Sequence, residues 1–482
     1  MNTASTTAAN RTLRQPADLP GPRGIPVFGN ALQIKPQHIH RQLEQWARSY
    51  GSPYRLRLGR ETAVVTGDHA AVALALRDRP QGFRRTPRVR QIGQEMGLLP
   101  SLFGSEGDDW LRQRRMVMAS FDPGHVKRYF PSLTKVAERL TGRWRLAAQQ
   151  GREIDLQADL MRYTVDTIAG LAFGADVNTL QSDDDVIQRH LDKIFPALNR
   201  RIFAAFPVWR WWTRRADREL AQSMVEVKRA VDNFIAQARA RLASDPARRE
   251  QPGNLLEAML LAADLPDSGI TDTAVAGNVL GMLLAGEDTT ANTLAWMIHL
   301  LWRHPQALAR ATDEVRRVVG DAASVTLEHL AALDYVDACA SETMRLKPVA
   351  PLNAMVALRD SVVGDVQLRT GTMLICLTRH DSMDNSLLPE AATFQPERWL
   401  GQGQAAELSA SAKRLSMPFG AGPRMCPGRY LALLEIKMAM ATLLGRFDIV
   451  SVDTPDGQEA QERLAFTMTP VGLTMRLRER PC

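Results

Sequence analysis

The stretch from Asp272 to Arg303 limits the fold more than any other part of the sequence. It is long and mostly apolar, and it ends at His304-Pro305, where the proline suits the start of another helix. A helix that is apolar on most of its faces belongs at the centre of a large protein. Because the chain has 482 residues, it can surround such a helix. We therefore expect a buried central helix with the rest of the chain packed around it.

A run of small and polar residues, Ala285-Gly286-Glu287-Asp288-Thr289-Thr290, interrupts this apolar stretch. Small side chains leave room for a ligand against the backbone. A buried Asp288 or Thr289 is costly unless it bonds to a partner or to water. A hydroxyl beside a carboxylate is also suited to passing protons to a bound molecule. The run therefore predicts a ligand site in the middle of the helix, and the alternative is a kinked turn that faces the surface.

A loop rich in Gly and Pro, Phe419–Arg429, presents Cys426 just before an apolar helical run from Tyr430 to Phe447. A thiol at this place lies near free N–H groups and the positive end of the helix dipole, and both favour the thiolate. A single thiolate does not suit zinc, but it suits haem iron, whose porphyrin supplies the equatorial ligands. The other cysteines lack such a loop and a following helix: Cys339, Cys376 and Cys482.

The spacing Phe419-x-x-Gly422-x-Arg424-x-Cys426-x-Gly428 resembles the haem-binding loop of the cytochrome P450 superfamily. The Ala285–Thr290 run is similar to the family's oxygen-activating segment. The resemblance implies that Cys426 is the axial metal ligand and that Glu287, Asp288 and Thr289 are catalytic. It also implies a cofactor site made from the loop and the helix, with these contacts: Ala285, Gly286, Phe419, Gly422, Arg424, Cys426 and Gly428.

Two further patterns of the family occur upstream of the loop in the family's order. Trp110 and Arg114 lie at i and i+4 on one helix face and resemble the pair that binds a haem propionate. Glu342 and Arg345, with Arg398 later in the chain, resemble a buried charged cluster that fixes the cysteine loop. Taken alone, each pattern is also what a core Trp or a solvated helix face would show.

One position departs from the family. Many relatives carry an arginine about seven residues beyond Lys347-Pro348, where this chain has Met355. If that arginine serves a propionate, the contact is lost here, or His380 or Arg359 replaces it. The resemblance leaves these alternatives open.

Length alone favours two or three domains, whereas the resemblance implies one. We expect a disordered lead at residues 1–18 and a single domain at residues 19–482, mainly α with a small β-rich portion, in a cytochrome P450-like fold that holds heme b. The first residues form neither a signal peptide nor a membrane span. We therefore expect a soluble, cytoplasmic protein without a transmembrane anchor.

The basic excess, +7 at pH 7, fits nucleic acid, an anionic membrane or an acidic protein partner, and a solvated surface is the simplest reading. The segment Phe206–Arg215 interleaves aromatic rings with arginines. Such a pattern can stack on single-stranded nucleic acid or lie in a membrane interface, but core packing is the commoner explanation. We therefore expect no nucleic-acid partner.

The resemblance implies a monooxygenase that uses O2 to hydroxylate or epoxidise a small lipophilic substrate. The alternatives are a haem-thiolate isomerase or peroxygenase, which would not need the Asp288–Thr289 pair, and a non-catalytic haem-binding sensor. Because no further cysteines could hold an iron–sulfur cluster, we expect electrons from a separate ferredoxin or flavodoxin-type partner with its reductase. An acidic partner could meet basic residues near the thiolate: Arg112, Arg115, Lys413, Arg414 and Arg429.

Overall fold

The structure is a computed structural model that describes residues 13–121, 123–182, 186–204, 206–320, 324–401 and 405–480. Helices dominate it, and the strands form small sheets, so the predicted fold class is confirmed. The helices within these residues are α1 (Ile39–Tyr50), α2 (His69–Arg77), α3 (Pro87–Glu95), α4 (Gly107–Ser120), α5 (Pro123–Gln149), α6 (Leu156–Phe173), α7 (Val186–Ile202), α8 (Arg215–Ser244), α9 (Ala247–Glu250), α10 (Leu255–Ala263), α11 (Asp272–Arg303), α12 (Pro305–Val319), α13 (Leu327–Ala331), α14 (Asp334–Leu346), α15 (Ala405–Leu415) and α16 (Arg429–Arg446).

The strands are short and come from distant parts of the chain. In chain order they are β1 (Tyr54–Leu58), β2 (Glu61–Thr66), β3 (Phe83–Arg85), β4 (Ile154–Asp155), β5 (Leu352–Ala357), β6 (Ser361–Val363), β7 (Val366–Leu368), β8 (Met373–Leu377), β9 (Phe447–Asp453), β10 (Glu462–Leu464), β11 (Met468–Pro470) and β12 (Thr474–Glu479). The largest sheet has the order β1-β2-β8-β5-β3, in which only β2 and β8 are parallel.

Helix α11 has the central position predicted for it. Its bounds match the apolar stretch, and the Thr271 side chain caps it by accepting a hydrogen bond from the Ala274 N–H at 3.2 Å. The first half of α11 packs in one apolar cluster and the second half in another. The polar run Ala285–Thr290 lies between the two clusters without breaking the helix, so the predicted alternative of a surface turn is wrong.

Gly286 shows why that run contains small residues. A Cβ built at this position would lie 3.1 Å from the Ile168 Cγ1 atom on α6, which is closer than side chains usually pack. The glycine therefore lets α11 approach α6 closely, in addition to leaving space for a ligand.

The stretch from Phe83 to Leu99 has no clear hydrophobic period, so its sequence predicts a loop, and that prediction is wrong. It forms the edge strand β3, which pairs with β5, and then helix α3. The arginines at positions 84, 85, 88 and 90 interrupt the apolar periodicity that would indicate the strand or the helix. The partner strand also comes from a distant part of the chain, so no local signal marks the pairing.

Residues 466–478 alternate apolar and polar side chains and contain Pro470 and Gly472, so the sequence predicts a terminal hairpin there, but the structure differs. Strand β11 pairs with β10 across the turn Ala465-Phe466-Thr467, whereas β12 pairs with β9 and β4. The alternating residues therefore belong to two strands in two different sheets. The hairpin turn lies at residues 465–467, before Pro470 and Gly472.

The predicted disordered lead lies partly outside the described residues, which begin at residue 13. The described part is ordered, because Arg14 forms an ion pair with Asp365 at 2.7 Å and a short 3-10 helix follows at Pro16–Asp18. The expectation of disorder therefore does not hold for residues 14–18. The single domain over residues 19–482 stays a prediction. Among the described helices, none is long and apolar enough to cross a membrane.

Candidate functional site

A cavity of about 1060 Å³ lies where α11, α4 and the loop Phe419–Arg429 meet. We name that loop the cysteine loop. Most residues predicted for catalysis and cofactor binding line the cavity: Trp110, Arg114, Ala285, Gly286, Thr289, Phe419, Arg424, Cys426 and Gly428. Three predicted residues do not line it: Glu287, Asp288 and Gly422.

Cys426 lies in a densely packed part of the chain, yet its side chain is exposed because it faces the cavity. Its backbone N–H donates a hydrogen bond to the Phe419 carbonyl at 2.9 Å, which closes the loop. Burial raises the pKa of the Cys426 thiol, whereas the Gly428 backbone N–H and the Arg114 guanidinium act to lower that pKa. The backbone and charge effects expected from the sequence are present, but burial outweighs them.

Gly422 has a structural role in the cysteine loop. Its φ of +71° lies in the left-handed region, and an added Cβ would meet the Arg77 Cα atom at 2.6 Å. Only glycine lets the loop pass this close to the end of α2. Gly422 thus holds the cysteine loop against α2, and its predicted contact with the cofactor stays a prediction.

Thr289 and Asp288 are neighbours that face different surroundings. The Thr289 hydroxyl lines the cavity and donates to the Ala285 carbonyl at 2.6 Å. The Asp288 carboxylate accepts hydrogen bonds from Asn292 Nδ2 at 2.7 Å and from the Thr467 hydroxyl. Burial raises the pKa of Asp288, although these bonds lower it in part. Asp288 therefore lies beside the cavity rather than in its wall.

Glu287, the third predicted catalytic residue, is buried in α11 outside the cavity wall. Its carbonyl accepts a hydrogen bond from the Thr164 hydroxyl on α6 at 2.8 Å. Its backbone thus takes part in helix packing, and a catalytic role for its side chain stays a prediction.

Glu435 on α16 is a functional candidate that sequence reasoning missed. It lines the cavity and is 2% exposed, and its carboxyl group is hydrogen bonded to Thr290 on α11. Burial raises the pKa of Glu435 from 4.5 to about 8. An acidic residue inside the apolar helical run after Cys426 was a signal that could have identified it.

Buried guanidinium groups gather at one side of the cavity. Arg79, Arg85, Arg114 and Arg424 all line it, and the Arg424 guanidinium lies 4.7 Å from the centre of the Trp110 ring. Glu106 forms an ion pair with Arg424, and its Oε1 atom accepts the Arg85 backbone N–H at 3.1 Å. The Glu106 carboxylate also acts to raise the pKa of Arg79, Arg85 and Arg424, so one acid faces three cations.

The cations of this wall are not fully satisfied. Arg79 Nε and Nη2, Arg85 Nε and Arg424 Nε are buried and have no hydrogen-bond partner in the described part of the chain. Burial lowers the pKa of Arg85 to about 9 and that of Arg424 to about 10. The unpaired nitrogen atoms are suited to donate hydrogen bonds to the two propionate carboxylates of haem. The exposed Cys426 sulfur is suited to bind its iron.

Neither replacement proposed for the missing arginine reaches the cavity. His380 Nδ1 is paired with Asp381 at 3.0 Å, and the exposed Arg359 guanidinium is paired with Asp78 at 2.7 Å. Met355 itself is buried in the apolar core beneath the largest sheet. The predicted replacements are therefore wrong, and the cations that line the cavity come from elsewhere.

The predicted charged cluster is present and buried. Glu342 accepts hydrogen bonds from Arg345 at 2.7 and 2.8 Å and forms an ion pair with Arg398 at 3.3 Å. Trp399 Nε1 also donates to Glu342 at 2.9 Å. Arg345 in turn donates to the carbonyls of Ser382 and Ala391. The cluster thus joins α14 to the segment that precedes the cysteine loop.

The aromatic and basic segment Phe206–Arg215 is more exposed than core packing predicts. Trp211 is 76% exposed and Trp212 is 77% exposed. Phe206 lines the cavity and makes an edge-to-face contact with Phe28, with the ring centres 6.5 Å apart. The segment therefore lies beside an opening of the cavity, and core packing is wrong for its exposed tryptophans.

Comparisons with known proteins agree with this site. The family model for Cytochrome P450 matches residues 19–476. A self-sufficient cytochrome P450 monooxygenase of Aspergillus niger, CYP505E5, is 28% identical over 95% of this chain and 43% of its own length. The chain thus spans less than half the length of this relative.

Two further relatives match over most of their own length. The 25-hydroxyvitamin D-1 alpha hydroxylase, mitochondrial, of Homo sapiens is 30% identical over 92% of this chain and 88% of its own length. Cytochrome P450 CYP94D108 of Paris polyphylla is 28% identical over 86% of this chain and 84% of its own length. The chain belongs to the cytochrome P450 family.

Proposed function

We propose that the protein is a haem-thiolate monooxygenase that inserts one atom of O2 into a small lipophilic substrate, by hydroxylation or epoxidation. The observation that carries the proposal is that Cys426, Thr289 and a wall of incompletely bonded arginines share one cavity. Relatives named as monooxygenases support the reaction class. The substrate is a proposal from the chemistry of the cavity.

In this proposal Cys426 would bind the iron of heme b through its sulfur. Arg114, Arg424 and Trp110, which line the same cavity, would bind the cofactor's carboxylates. When bound, haem supplies the iron chemistry that activates dioxygen. The protein's own part is to hold the thiolate, pair the propionates and keep water away from the reacting region.

Proton supply is the second task of the protein. The Thr289 hydroxyl holds a proton at Oγ1 in the cavity, and the Asp288 carboxyl lies next to it in the chain. Burial raises the pKa of Asp288, which favours the protonated form of this group. Release of its bond with Thr467 would let Asp288 pass that proton toward Thr289.

The outer part of the cavity suits an apolar substrate. Phe103 and Phe466 make an edge-to-face contact at 5.7 Å, and both line the cavity. Asn199 and Asn278 also line it, but their amides already bond to the Leu464 carbonyl and to Gln113. Because these two amides are already bonded, hydrophobic contact is the main attraction that this part of the cavity offers a substrate.

Electrons are proposed to come from an acidic ferredoxin or flavodoxin-type protein with its reductase. Arg115, Lys413, Arg414 and Arg429 are exposed, and each lies close in sequence to a residue that lines the cavity. The self-sufficient relatives are more than twice as long as this chain, so a separate partner is a proposal. The cytoplasmic location also stays a prediction, which cell fractionation would test.

The function is tested by isotope incorporation. Fatty acids, terpenoids, steroids and aromatic metabolites are first screened for a spectral shift of the bound haem. A binder is then incubated with isotopically heavy dioxygen and a reducing system, and one heavy oxygen atom is expected in the product. Product without heavy oxygen would favour the isomerase, heavy oxygen only from labelled hydrogen peroxide would favour the peroxygenase, and binding without product would favour the sensor.

A further inference from the structure

We propose that the turn Ala465-Phe466-Thr467, between β10 and β11, links substrate binding to proton delivery. In this proposal Thr467 is a positioning residue that holds the Asp288 carboxyl group until a substrate contacts Phe466. That contact moves the turn and releases the carboxyl group toward Thr289. The inference rests on the proposed function and adds a connection between two parts of the same site.

Adjacent residues of this turn face different parts of the molecule. Phe466 lines the cavity, whereas Thr467 is buried and does not line it. The Thr467 hydroxyl instead donates a hydrogen bond to the Asp288 Oδ2 atom on α11. A residue that a substrate can touch is therefore joined by one peptide bond to the residue that holds the acid.

Few other contacts hold the Asp288 carboxyl group. Asn292 Nδ2 donates to its Oδ1 atom at 2.7 Å and to the Thr467 hydroxyl oxygen at 3.3 Å. Both partners are neutral, and no ion pair to Asp288 occurs within the residues that the structure describes. Loss of one neutral donor costs much less than the breaking of a buried ion pair. Movement of Thr467 is therefore enough to free the Oδ2 atom.

The backbone of Phe466 is strained, which makes the turn sensitive to contact. Its φ of +96° lies in the left-handed region, which bulky residues rarely adopt. Such a conformation persists only while the surrounding structure holds it. Here the Phe195 ring stacks on that of Phe466 with the centres 4.5 Å apart, and the Phe103 ring lies at 5.7 Å. A substrate that displaces the Phe466 ring removes these contacts and lets the turn relax.

The strands on both sides of the turn are fixed to other elements. The Leu464 carbonyl accepts a hydrogen bond from Asn199 Nδ2 at 3.1 Å. The Met468 carbonyl accepts one from Trp296 Nε1 at 3.3 Å, and the Met468 N–H donates to the Val349 carbonyl at 2.8 Å. Movement is therefore confined to the three residues of the turn, one of which holds Asp288.

The first test follows the Asp288 carboxyl group by infrared spectroscopy of the ferric holoprotein, without turnover. Its band is identified by its absence in D288N. Dodecanoic acid, limonene, progesterone and naphthalene represent the four classes of the spectral screen, and the tightest binder is the probe. We expect the probe to shift the carboxyl band of the wild type. T467V should show the shifted band without probe, whereas T467S keeps the hydroxyl and should behave as the wild type.

T469V is the matched control for T467V. Thr469 lies on the adjoining strand β11 and is as deeply buried as Thr467. Its hydroxyl donates to the Pro470 carbonyl at 3.0 Å and makes no bond to Asp288. The band of T469V should therefore lie at the wild-type position and shift only when the probe is added.

Variants of Phe466 test the other end of the connection. F466A should bind the probe without a shift of the carboxyl band, and F466L, which keeps an apolar contact, should regain the shift. If F466A does not accumulate as folded holoprotein, F466G is measured in its place with the same expectation, because glycine suits the left-handed backbone.

The second test measures product formed per electron at saturating probe. Because Asp288 stays bonded to Thr467 in F466A, this variant should form about tenfold less product and more hydrogen peroxide than the wild type. Adding T467V to F466A should restore most of the product yield, since the carboxyl group is then free without contact from the substrate.

Three results would overturn the inference: a carboxyl band in T467V that matches the wild type without probe, an F466A variant that changes KM alone, or a double variant with the yield of F466A. Failure of the proposed function is a different result, because the wild type would then bind none of the four probes or form no product. The wild type is therefore measured before any variant.

Discussion

Glu435 is a buried acid placed between two helices that shape the cavity. It lies on α16, the helix that follows Cys426, and its carboxyl group is hydrogen bonded to Thr290 on α11. One hydrogen bond thus links the helix after the cysteine loop to the helix that carries Thr289. Its pKa of about 8 means that the folded protein keeps this carboxyl protonated in conditions where an unfolded chain would not. The free energy of unfolding should therefore depend on pH in a defined direction.

The first prediction concerns Glu435→Gln. Between pH 4.5 and 8 the folded state holds a proton that the unfolded state releases, so the free energy of unfolding falls as pH rises, by about 1.4 kcal/mol per pH unit. The variant lacks this contribution and should be about as stable as wild type near pH 5 and more stable near pH 8. Urea unfolding across this range measures the effect, with the exposed Glu407→Gln as control. Parallel curves for wild type and Glu435→Gln would contradict it.

The second prediction concerns the proton-delivering hydroxyl. Thr289→Ala should keep substrate binding, but product formed per electron consumed should fall by about 10²-fold, because the cavity loses its proton donor. Product and hydrogen peroxide are measured together, and peroxide should rise. Thr312→Ala is the matched control, because Thr312 makes the same bond to a carbonyl four residues earlier outside the cavity. Unchanged product yield in Thr289→Ala would remove Thr289 from the mechanism.

At the residue scale, the sequence predicted the residues that belong to contiguous motifs. Cys426, Arg424 and Thr289 line the cavity as expected because their spacing along one loop or helix is what places them there. Arg79 and Arg85 were missed, since their role depends on a strand pairing and on a helix end that no local pattern shows. Met355 was noticed as a departure, but only the register reveals what lies opposite it.

At the element scale, the cluster of Glu342, Arg345 and Arg398 connects α14 to the segment that precedes the cysteine loop. All three side chains are buried, so the charges depend on one another for compensation. Removing one partner from a buried pair is far more costly than breaking a surface pair. We therefore expect this cluster to affect both the free energy of unfolding and the retention of the cofactor.

The third prediction concerns Glu342→Gln. Two buried guanidinium groups lose their counter-charge, so the free energy of unfolding should drop by about 3–5 kcal/mol. Haem content after purification should drop with it, because the cysteine loop loses its support. Glu219→Gln breaks the exposed Arg215–Glu219 pair and should cost less than about 1 kcal/mol. Chemical unfolding and haem content measure both, and equal losses in the two variants would contradict the account.

Long helices were predictable because their apolar periodicity is local. Helix α11 has the predicted bounds, and α16 begins and ends one residue before the run predicted at Tyr430–Phe447. Short edge strands were not predictable where charged residues dominate, as at Phe83–Arg85, and the tail pattern could not show which strand pairs with which. Whether those segments form strands, and with which partners, depends on contacts with other strands rather than on their own sequence.

At the scale of the whole molecule, exposed cations lie on three elements, α4, α15 and the start of α16, each close in sequence to a residue that lines the cavity. Opposite charges on two proteins raise the rate of encounter, and salt screens the effect. The overall family could be predicted from four motifs in order, but the electron source could not, since it depends on a surface rather than on a motif.

The fourth prediction concerns this surface. Reversing Lys413, Arg414 and Arg429 together to glutamate should slow reduction by an acidic ferredoxin about tenfold at low salt, and the difference should shrink as salt rises. Arg249→Glu, an exposed reversal on α9, is the control and should have little effect. Stopped-flow reduction under carbon monoxide measures the rate, and an unchanged rate at low salt would exclude this docking surface.

The account depends most directly on the sulfur of Cys426 as the axial ligand of haem iron. Purified protein is reduced, exposed to carbon monoxide and examined for the red-shifted Soret band that such coordination gives. We expect wild type and the buried Cys339→Ser variant to show this band and Cys426→Ser to lose it. Absence of the band in wild type, or its persistence in Cys426→Ser, would contradict the account.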